Sequence, residues 1–157
     1  ICSSYSKNFG LYSERVGCLI YHSKNMNNYS SVQSNFKKVA RTIYSNPPSH
    51  GSDIVKTILS DEKLKSLWEI NLNEAKNRII NMRKSLVENL VKENCSRNFE
   101  FIINQKGMFS FTGLSSDEVN QLKEKFSIYI VNSGRINVAG VTSKNVNYIA
   151  KAISSVI

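Results

Sequence analysis

The sequence predicts a mixed fold, with an α/β first part over residues 1–74 and a small α+β second part over residues 75–157. Three observations lead to this prediction. Apolar residues at helical spacing alternate with short apolar runs beside glycine, a proline pair interrupts the first half, and one long helical pattern joins the two halves. The chain has 157 residues, 41% of them hydrophobic, which is enough for a buried core.

The first part contains one predicted strand and two predicted helices. The apolar run "GCLIYH" at residues 17–22 predicts a buried strand. Residues 27–44 predict a helix, because apolar side chains recur there at steps of three and four residues. Pro47 ends this helix, since a proline disfavours the helical conformation of the residue before it. A short helix is then predicted over residues 52–59.

A long helix is predicted over residues 63–94. Ser60 is a candidate N-cap, and two acidic residues follow it in the first turn. Apolar residues keep close to helical spacing along this stretch: Leu64, Leu67, Leu72, Ala75, Ile79, Met82, Leu86 and Leu90. A helix of this length often connects two domains.

After Cys95 the pattern changes to short segments. "FEFIIN" and "GMFSFTG" come first, and a helix follows over residues 115–126, where Ser115 and Glu118 form a capping box. The stretch "IYIVNSGRINVAG" predicts a strand, a turn and a second strand. Residues 142–157 predict a closing helix.

The net charge of +9 raises the question of a nucleic-acid partner. Lysines and arginines are spread along the chain, and the densest pairs fall on predicted helix faces, so a basic pocket for small anions explains the charge better. We therefore expect no nucleic-acid partner. We also expect no membrane partner, because no window of the sequence approaches the roughly eighteen apolar residues of a bilayer span.

The three cysteines, Cys2, Cys18 and Cys95, have no metal-ligand spacing, and their odd number favours reduced thiols. We expect no metal site and a cytoplasmic protein, with a mitochondrial location left open. The chain begins at Ile1, with neither an initiator methionine nor a targeting signal, so we expect a fragment or a processed chain.

Lys7 lies in a setting that suits covalent chemistry. Small hydroxyl residues surround it, and Arg15 adds a fixed positive charge. An amine that attacks a carbonyl carbon must be neutral part of the time, and Schiff-base formation is the chemistry that this setting favours. If the carbonyl compound carries a phosphate, Ser4 can bind it as a neutral donor and Arg15 as a two-point charged clamp. The alternative is a lysine that simply faces solvent.

Four stretches of the chain match one family in the same order. They are "SYSKNFGLYSERVG", "YSNPPSHG", "GMFSFTGL" and "SGRINVAG". Together they resemble the aspartate aminotransferase family, which are pyridoxal-phosphate enzymes of fold type I. The resemblance implies the C-terminal portion of such an enzyme. Residues 1–74 would be the end of the large, cofactor-binding α/β domain, and residues 75–157 the small α+β domain, with a long linking helix between them.

The resemblance also implies which residues bind the cofactor. Lys7 would bond to pyridoxal phosphate and, once the substrate amine releases it, move a proton between the substrate α-carbon and the cofactor. Ser4 and Arg15 would bind the cofactor phosphate, in agreement with their own chemistry. Ser45 would contribute to the phosphate region across a subunit interface, although a turn serine before two prolines is a comparable account.

Two arginines and a phenylalanine would contact the substrate. The resemblance implies that Arg135 binds the substrate α-carboxylate by a two-point bond; the alternative is a surface arginine paired with a carboxylate. Arg41 would reach into the neighbouring subunit's site and bind the side-chain carboxylate, which implies a homodimer with shared active sites. A solvated arginine is the alternative for Arg41. Phe109 would either pack near the substrate or belong to the core.

The resemblance therefore implies an aspartate aminotransferase, which transfers the amino group of L-aspartate to 2-oxoglutarate and yields oxaloacetate and L-glutamate. An aromatic-amino-acid aminotransferase of the same family is the closest alternative. An alternative from a different functional class is a dimerising or binding fragment without activity. The family's carboxylate partner for the pyridine nitrogen of the cofactor lies outside these residues, so this fragment alone would hold the cofactor poorly. A small basic nucleic-acid binder is a third alternative.

Overall fold

The structure is a computed structural model that describes residues 1–24 and 26–157, without the side chain of Met26. The chain divides into two compact units, Ile1–Leu72 and Asn73–Ile157. Helices and short strands alternate along it, so the predicted mixture of the two is confirmed. Within the described residues, no helix combines the length and the apolar character that a membrane crossing requires.

The first unit begins with an antiparallel hairpin. β1 (Cys2–Ser4) pairs with β2 (Gly17–Leu19), and Ser4 lies opposite Gly17. Only glycine fits at position 17, because a β-carbon there would collide with the carbonyl oxygen of Ser3. The segment between the two strands, residues 5–16, carries Lys7 and is called the Lys7 loop below.

The strand predicted over residues 17–22 is shorter than expected, and the prediction that it is buried is wrong. Leu19 is 55% exposed and Ile20 is 51% exposed. In the described part of the chain β2 pairs with β1 alone, and the Tyr21 ring of this run meets the Phe36 ring of the following helix edge-on, with centroids 6.1 Å apart.

Two helices follow the hairpin. α1 spans Tyr29–Tyr44 after a short 3-10 turn, and α2 spans His50–Ser60, so the helices predicted over residues 27–44 and 52–59 are confirmed with shifted ends. α1 has a clear apolar face, yet none of its described residues is buried. Phe36, Val39 and Ile43 are 41%, 55% and 70% exposed.

α3 (Glu62–Lys92) is the long helix that the sequence predicts. Asp61, and not Ser60, caps its first turn, because Oδ1 of Asp61 accepts hydrogen bonds from the amides of Lys63 and Leu64 at 2.9 and 3.0 Å. The prediction of Ser60 as the N-cap is wrong because α2 continues through that residue.

The second unit contains an extended apolar core. α4 (Ser116–Phe126) and α5 (Val146–Val156) pack with the second half of α3. The core includes these buried side chains: Leu86, Leu90, Ile102, Leu122, Val138, Ala150 and Ile153. β3 (Phe109–Phe111) pairs antiparallel with β4 (Arg135–Asn137). Ser110 and Ile136 face the core, whereas the residues on either side of them are exposed.

Two predictions for this unit are corrected by the structure. Residues 128–131, predicted as a strand, form none, because β4 pairs with β3 and the amide of Ile128 donates to the carbonyl of Leu122 at 3.1 Å. The closing helix begins at Val146, later than predicted. Thr142 and Asn145 form a capping turn before it, in which the amide of Thr142 donates to Oδ1 of Asn145 at 2.7 Å.

The capping box at the start of α4 is confirmed. The amide of Glu118 donates to Oγ of Ser115 at 3.2 Å, and the amide of Ser115 donates to Oε2 of Glu118 at 2.7 Å. Arg97 also donates to Oε1 of Glu118 at 2.7 Å. The hydrogen bond from Arg97 is the main reason that the pKa of Glu118 lies below its ordinary value, and the bonds from Ser115 add to this shift.

We expect the charge of Glu118 to stabilise the second unit in a pH-dependent way. Because the folded pKa of Glu118 is lowered, this stabilisation is complete above the unfolded pKa, near 4.5, and is lost as the pH falls through the folded pKa. Glu118→Gln keeps an oxygen for the cap and removes the charge. Its free energy of unfolding should be lower than that of the unchanged protein by roughly 0.5–1 kcal/mol at pH 7.

Urea unfolding from pH 7 to pH 3 measures this difference. Glu124→Gln, an exposed position on the same helix, is the matched control and should remain close to the unchanged protein throughout. If Glu118→Gln lowers the free energy of unfolding as much at pH 3 as at pH 7, the charge of Glu118 is not the cause of the stabilisation.

Candidate active site

Lys7 lies in a closed turn of the Lys7 loop. The amide of Phe9 donates to the carbonyl of Tyr5 at 3.2 Å, which closes the turn around Lys7. The amide of Tyr5 donates to the carbonyl of Val16 at 3.1 Å, so the start of the turn is tied to the end of the loop. Lys7 itself is exposed. The first unit therefore presents an accessible amine on a fixed backbone.

Lys7 and Arg15 contact the same residue. Nζ of Lys7 lies 5.3 Å from the centroid of the Tyr12 ring, within the range of a cation–π contact. The guanidinium of Arg15 donates to the carbonyl oxygen of Tyr12 at 3.1 Å. Arg15 also has a left-handed backbone, with φ of 53°, and strain of this kind concentrates at functional sites. Tyr12 thus links the two cations of the loop.

The carboxylate beside Arg15 in the sequence is paired with another residue. Oε2 of Glu14 lies 3.0 Å from Nδ1 of His50, the first residue of α2. Gly51 allows this approach, because a β-carbon there would come within 2.9 Å of Cβ of Glu14. Across residues 1–24 and 26–157, no carboxylate lies within ion-pairing distance of Lys7 or Arg15. Both cations are therefore available to an anionic ligand.

Ser4 is exposed at the end of β1. Its Oγ accepts a hydrogen bond from the amide of Ser6 at 3.2 Å and lies 3.0 Å from Oγ of Ser6, to which it donates. A hydroxyl has one hydrogen to donate. Ser4 can therefore donate to a phosphate by turning this hydrogen away from Ser6, while the bond from the Ser6 amide holds its oxygen in place.

The donors of the hairpin fit an aldehyde that carries a phosphate. They are one primary amine, one hydroxyl and one guanidinium, contributed by Lys7, Ser4 and Arg15, and all three residues are exposed. Gly10, with φ of +70°, has open space where a β-carbon would stand. These residues are chemically suited to pyridoxal phosphate, with the amine for the aldehyde and the other two groups for the phosphate.

Trp68 is a contact of this loop that sequence analysis misses. It lies on α3, and its Nε1–H donates to the carbonyl of Asn8 at 2.8 Å. Its ring stacks on Phe9 with centroids 4.6 Å apart. The two partners are 60 residues apart, so no local pattern in the sequence could have indicated the contact.

Arg135 and Phe109 form a second cluster, in the other unit. Arg135 opens β4 on the exposed face of the pair, and its guanidinium lies 4.9 Å from the centroid of the Phe109 ring. Phe109 is 39% exposed, so it packs on this arginine and does not belong to the core. The described residues place no carboxylate within ion-pairing distance of Arg135. Its guanidinium is open to an external carboxylate.

Gly134 fixes the backbone immediately before Arg135. Its φ is +73°, and a β-carbon there would come within 2.9 Å of the carbonyl oxygen of Leu114. Its own carbonyl accepts two bonds from Thr112, from the amide at 3.0 Å and from Oγ1 at 2.8 Å. The glycine that precedes this arginine is therefore required by a close backbone approach.

Arg83 anchors the partner strand from the core side. It is 4% exposed, and its Nε donates to Oγ of Ser110 at 3.2 Å. A second nitrogen donates to the carbonyl of Gly107 at 2.6 Å. Burial lowers the pKa of the Arg83 guanidinium. These bonds tie β3, and with it the Phe109 ring, to α3.

Arg41 and Ser45 lie at the end of α1. The amide of Ser45 donates to the carbonyl of Arg41 at 3.1 Å, and Ser45 ends the helix with φ of 63°. Both side chains are exposed. The predicted site residues thus occupy three places: Ser4, Lys7 and Arg15 on one hairpin, Arg41 and Ser45 at this helix end, and Arg135 with Phe109 on the second strand pair. No cluster of His, Cys, Asp and Glu in the described part of the chain could hold a metal ion.

Comparisons with known proteins agree on one family. A family model described as Aminotransferase class I and II matches residues 1–153. An aspartate aminotransferase from Haemophilus influenzae is 46% identical over 157 residues, which are 100% of this chain and 40% of that relative. The chain therefore spans about 40% of the length of such relatives.

Solved structures of similar proteins have nearly the same fold over this region. The aromatic-amino-acid aminotransferase from Burkholderia pseudomallei, covalently bound to pyridoxal phosphate, matches with a TM-score of 0.91 at 46% identity and covers 99% of this chain and 39% of that one. A psychrophilic aromatic amino acids aminotransferase from Psychrobacter sp. B6, cocrystallised with aspartic acid, matches with a TM-score of 0.93 at 37% identity, over 99% of this chain and 39% of that one.

Proposed function

We propose, because this chain belongs to the family Aminotransferase class I and II, that it supplies the catalytic lysine and the carboxylate-binding arginines of a pyridoxal-phosphate-dependent aspartate aminotransferase. The reaction transfers the amino group of L-aspartate to 2-oxoglutarate and yields oxaloacetate and L-glutamate. The observation that carries the proposal is that Tyr12 contacts both Lys7 and Arg15. The activity is proposed for the whole protein, since this chain spans about 40% of the length of its relatives.

The domain assignment is part of the same proposal. Residues 1–74 are the end of the large, cofactor-binding α/β domain of a fold type I enzyme, and residues 75–157 are its small α+β domain. The separation of the chain into compact units after Leu72 supports this assignment. So do the solved aminotransferases that match 99% of the chain.

In this proposal the hairpin binds the cofactor. Lys7 holds the aldehyde carbon, Ser4 and Arg15 hold the phosphate, and Ser45 contributes to the phosphate region from the neighbouring subunit. When bound, pyridoxal phosphate supplies an electron sink for the electron pair that remains after the α-proton of an amino acid leaves. With the cofactor bound, Nζ of Lys7 would act as the general base and acid that moves the α-proton of the substrate.

The two arginines orient the substrate. Arg135 binds the α-carboxylate through two parallel hydrogen bonds, which directs the α-hydrogen toward Lys7. The Phe109 ring, 4.9 Å from this guanidinium, limits the orientations of the arginine and lies beside the bound substrate. Arg41 binds the side-chain carboxylate of aspartate or of 2-oxoglutarate, and it does so in the site of the neighbouring subunit.

A homodimer with shared active sites follows from the role of Arg41. The exposed apolar face of α1, with Phe36, Val39 and Ile43, supports an additional contact for this helix. Apolar surface of this kind on an isolated chain marks a place where other polypeptide packs. We infer that the second subunit packs near this helix and receives Arg41 from it.

An aromatic-amino-acid aminotransferase is the second candidate function. It is favoured by the Burkholderia pseudomallei enzyme of that name, which is as similar to this chain, at 46% identity, as the aspartate aminotransferase from Haemophilus influenzae. The two candidates share Lys7 and Arg135 and differ in the role of Arg41, because an aromatic side chain offers no carboxylate to bind.

Rates with L-aspartate and L-phenylalanine separate these candidates in the full-length protein, with 2-oxoglutarate as the acceptor. We expect Arg41→Ala to lower kcat/KM for aspartate by about 10²- to 10³-fold, because it removes one partner of a desolvated charge pair, and to change the value for phenylalanine only about threefold. Lys38→Ala removes an exposed cation from the same helix and is the control. Equal losses with both substrates would refute the assigned role of Arg41.

Mixing two inactive variants tests whether the sites are shared. In a mixed dimer of Lys7→Ala and Arg41→Ala subunits, one of the two sites contains an intact Lys7 and receives an intact Arg41 from the other subunit. Random pairing should therefore restore about a quarter of the aspartate activity of the unchanged protein. If each site uses its own subunit's Arg41, mixing restores none.

A further inference from the structure

The backbone that follows Lys7 is held by a residue from another element. Nε1–H of Trp68 on α3 donates to the carbonyl of Asn8 at 2.8 Å. The indole ring also stacks on Phe9, with centroids 4.6 Å apart and planes 17° from parallel. One side chain therefore makes a hydrogen bond to the first residue after Lys7 and a ring contact with the second.

Phe9 also closes the turn from its other side. The Tyr5 ring meets the Phe9 ring edge-on, with centroids 5.2 Å apart. Tyr5 in turn is tied to β2, because its side chain forms a hydrogen bond with Cys18. This bond is the main cause of the raised pKa of Tyr5. The turn from Tyr5 to Phe9 thus has an anchor at each end, β2 at the first and Trp68 at the second.

The position of Asn8 depends on the anchor at Trp68. Oδ1 of Asn8 is buried, and the described residues offer it no hydrogen-bond donor. A buried acceptor without a donor is unfavourable, because water would bind it if the side chain turned outward. The bond from Trp68 to the Asn8 carbonyl and the stacked Phe9 ring offset this tendency. Without them the segment beside Lys7 would be free to open toward solvent.

From these contacts we propose that Trp68 is a positioning residue for Lys7, which holds the turn so that the Lys7 amine is directed at the aldehyde group of the cofactor. This inference rests on the proposed role of Lys7. A lysine side chain has several rotatable bonds, so a fixed backbone limits the region that its amine can reach and adds to the contact with Tyr12. The amine reacts only from a narrow range of positions, and motion of the turn lowers the fraction of time that it spends there.

The test measures the attachment of pyridoxal phosphate to the full-length apoprotein, and not activity alone. The bond to the cofactor is trapped with borohydride at timed intervals, and mass spectrometry quantifies the labelled peptide that contains residue 7. Trp68→Phe keeps a ring on Phe9 and removes the hydrogen-bond donor, whereas Trp68→Leu removes both contacts. Glu69→Gln, at the exposed neighbouring position on α3, is the control.

We expect attachment of the cofactor to slow about fivefold in Trp68→Phe, because this variant loses one net hydrogen bond. In Trp68→Leu, which also loses the ring contact, attachment should slow about 10- to 100-fold. Glu69→Gln should match the unchanged protein. In steady state, kcat for aspartate should fall in both Trp68 variants while KM changes little, because the Trp68 contacts go to the Lys7 loop and not to the arginines proposed to bind carboxylates.

Two results separate the possible failures. If Lys7→Ala still becomes labelled at the same rate, the proposed function of Lys7 is wrong. If Lys7→Ala abolishes labelling while both Trp68 variants attach the cofactor as fast as Glu69→Gln, the positioning role is wrong and the proposed function stands. Trp68→Phe keeps the test decisive if Trp68→Leu does not fold, since the ring that remains preserves most of the packing.

Discussion

Replacement of Lys7 by alanine is expected to abolish covalent attachment of pyridoxal phosphate to the full-length protein and to lower the rate of amino transfer by at least about 10²- to 10⁴-fold. The lower bound is the contribution of a general base alone. The loss of the covalent anchor adds to it, because the amine at this position is proposed both to hold the cofactor and to move the substrate proton. Borohydride trapping followed by peptide mass analysis measures attachment, and a coupled assay with L-aspartate measures the rate.

Two further variants separate the chemistry of the amine from its charge. Lys7→Arg keeps the positive charge but has no amine that can be neutral at ordinary pH, so we expect it to be as inactive as Lys7→Ala. Lys56→Ala removes an exposed lysine on α2 in the same unit and should keep full attachment. Attachment that persists in Lys7→Ala and disappears in another lysine variant would contradict the assignment of Lys7.

Helices of this chain could be predicted well from the sequence, and strands only in part, since β2 and β4 lie within predicted strands and β1 does not. α1, α3 and α4 are visible as repeats of apolar residues at three and four positions, a local signal that does not depend on the rest of the fold. Each strand, in contrast, is three residues long, too short for an alternation to be recognised. Residues 128–131 have strong strand preference but form no strand, because the partner of β3 is β4.

The candidate site was predictable where its residues are neighbours in sequence. Ser4, Lys7 and Arg15 fall within one hairpin, and the structure adds the link through Tyr12, which composition alone does not indicate. The contact of Trp68 with Asn8 could not be predicted, since the two residues are 60 positions apart. The exposure of the apolar residues after Gly17 could not be predicted either. Their burial depends on which other segments pack on the hairpin, and the sequence of the hairpin alone does not indicate this.

Arg135→Lys is expected to lower kcat/KM by about 10- to 150-fold with every amino acid substrate, the range for losing one hydrogen bond to a charged group. Lysine keeps the charge, but it cannot form two parallel bonds to a carboxylate. The loss should be similar for aspartate and phenylalanine, since all amino acids share the α-carboxylate. Steady-state rates with both substrates in the full-length protein measure it. This pattern differs from that of Arg41→Ala, which should lower kcat/KM for aspartate far more than for phenylalanine.

The surroundings of Arg135 supply the controls. Phe109→Leu removes the ring contact with Arg135 at 4.9 Å and keeps an apolar side chain beside the proposed substrate position, and we expect a loss of about two- to fivefold, in line with an exposed cation–π contact. Lys144→Ala removes an exposed cation of the same unit and should have no effect. Because Arg135 is exposed, its replacement should leave the free energy of unfolding within about 0.5 kcal/mol, so a loss of activity cannot be attributed to misfolding. Rates within threefold of the unchanged protein for both substrates would show that the α-carboxylate is bound by another group.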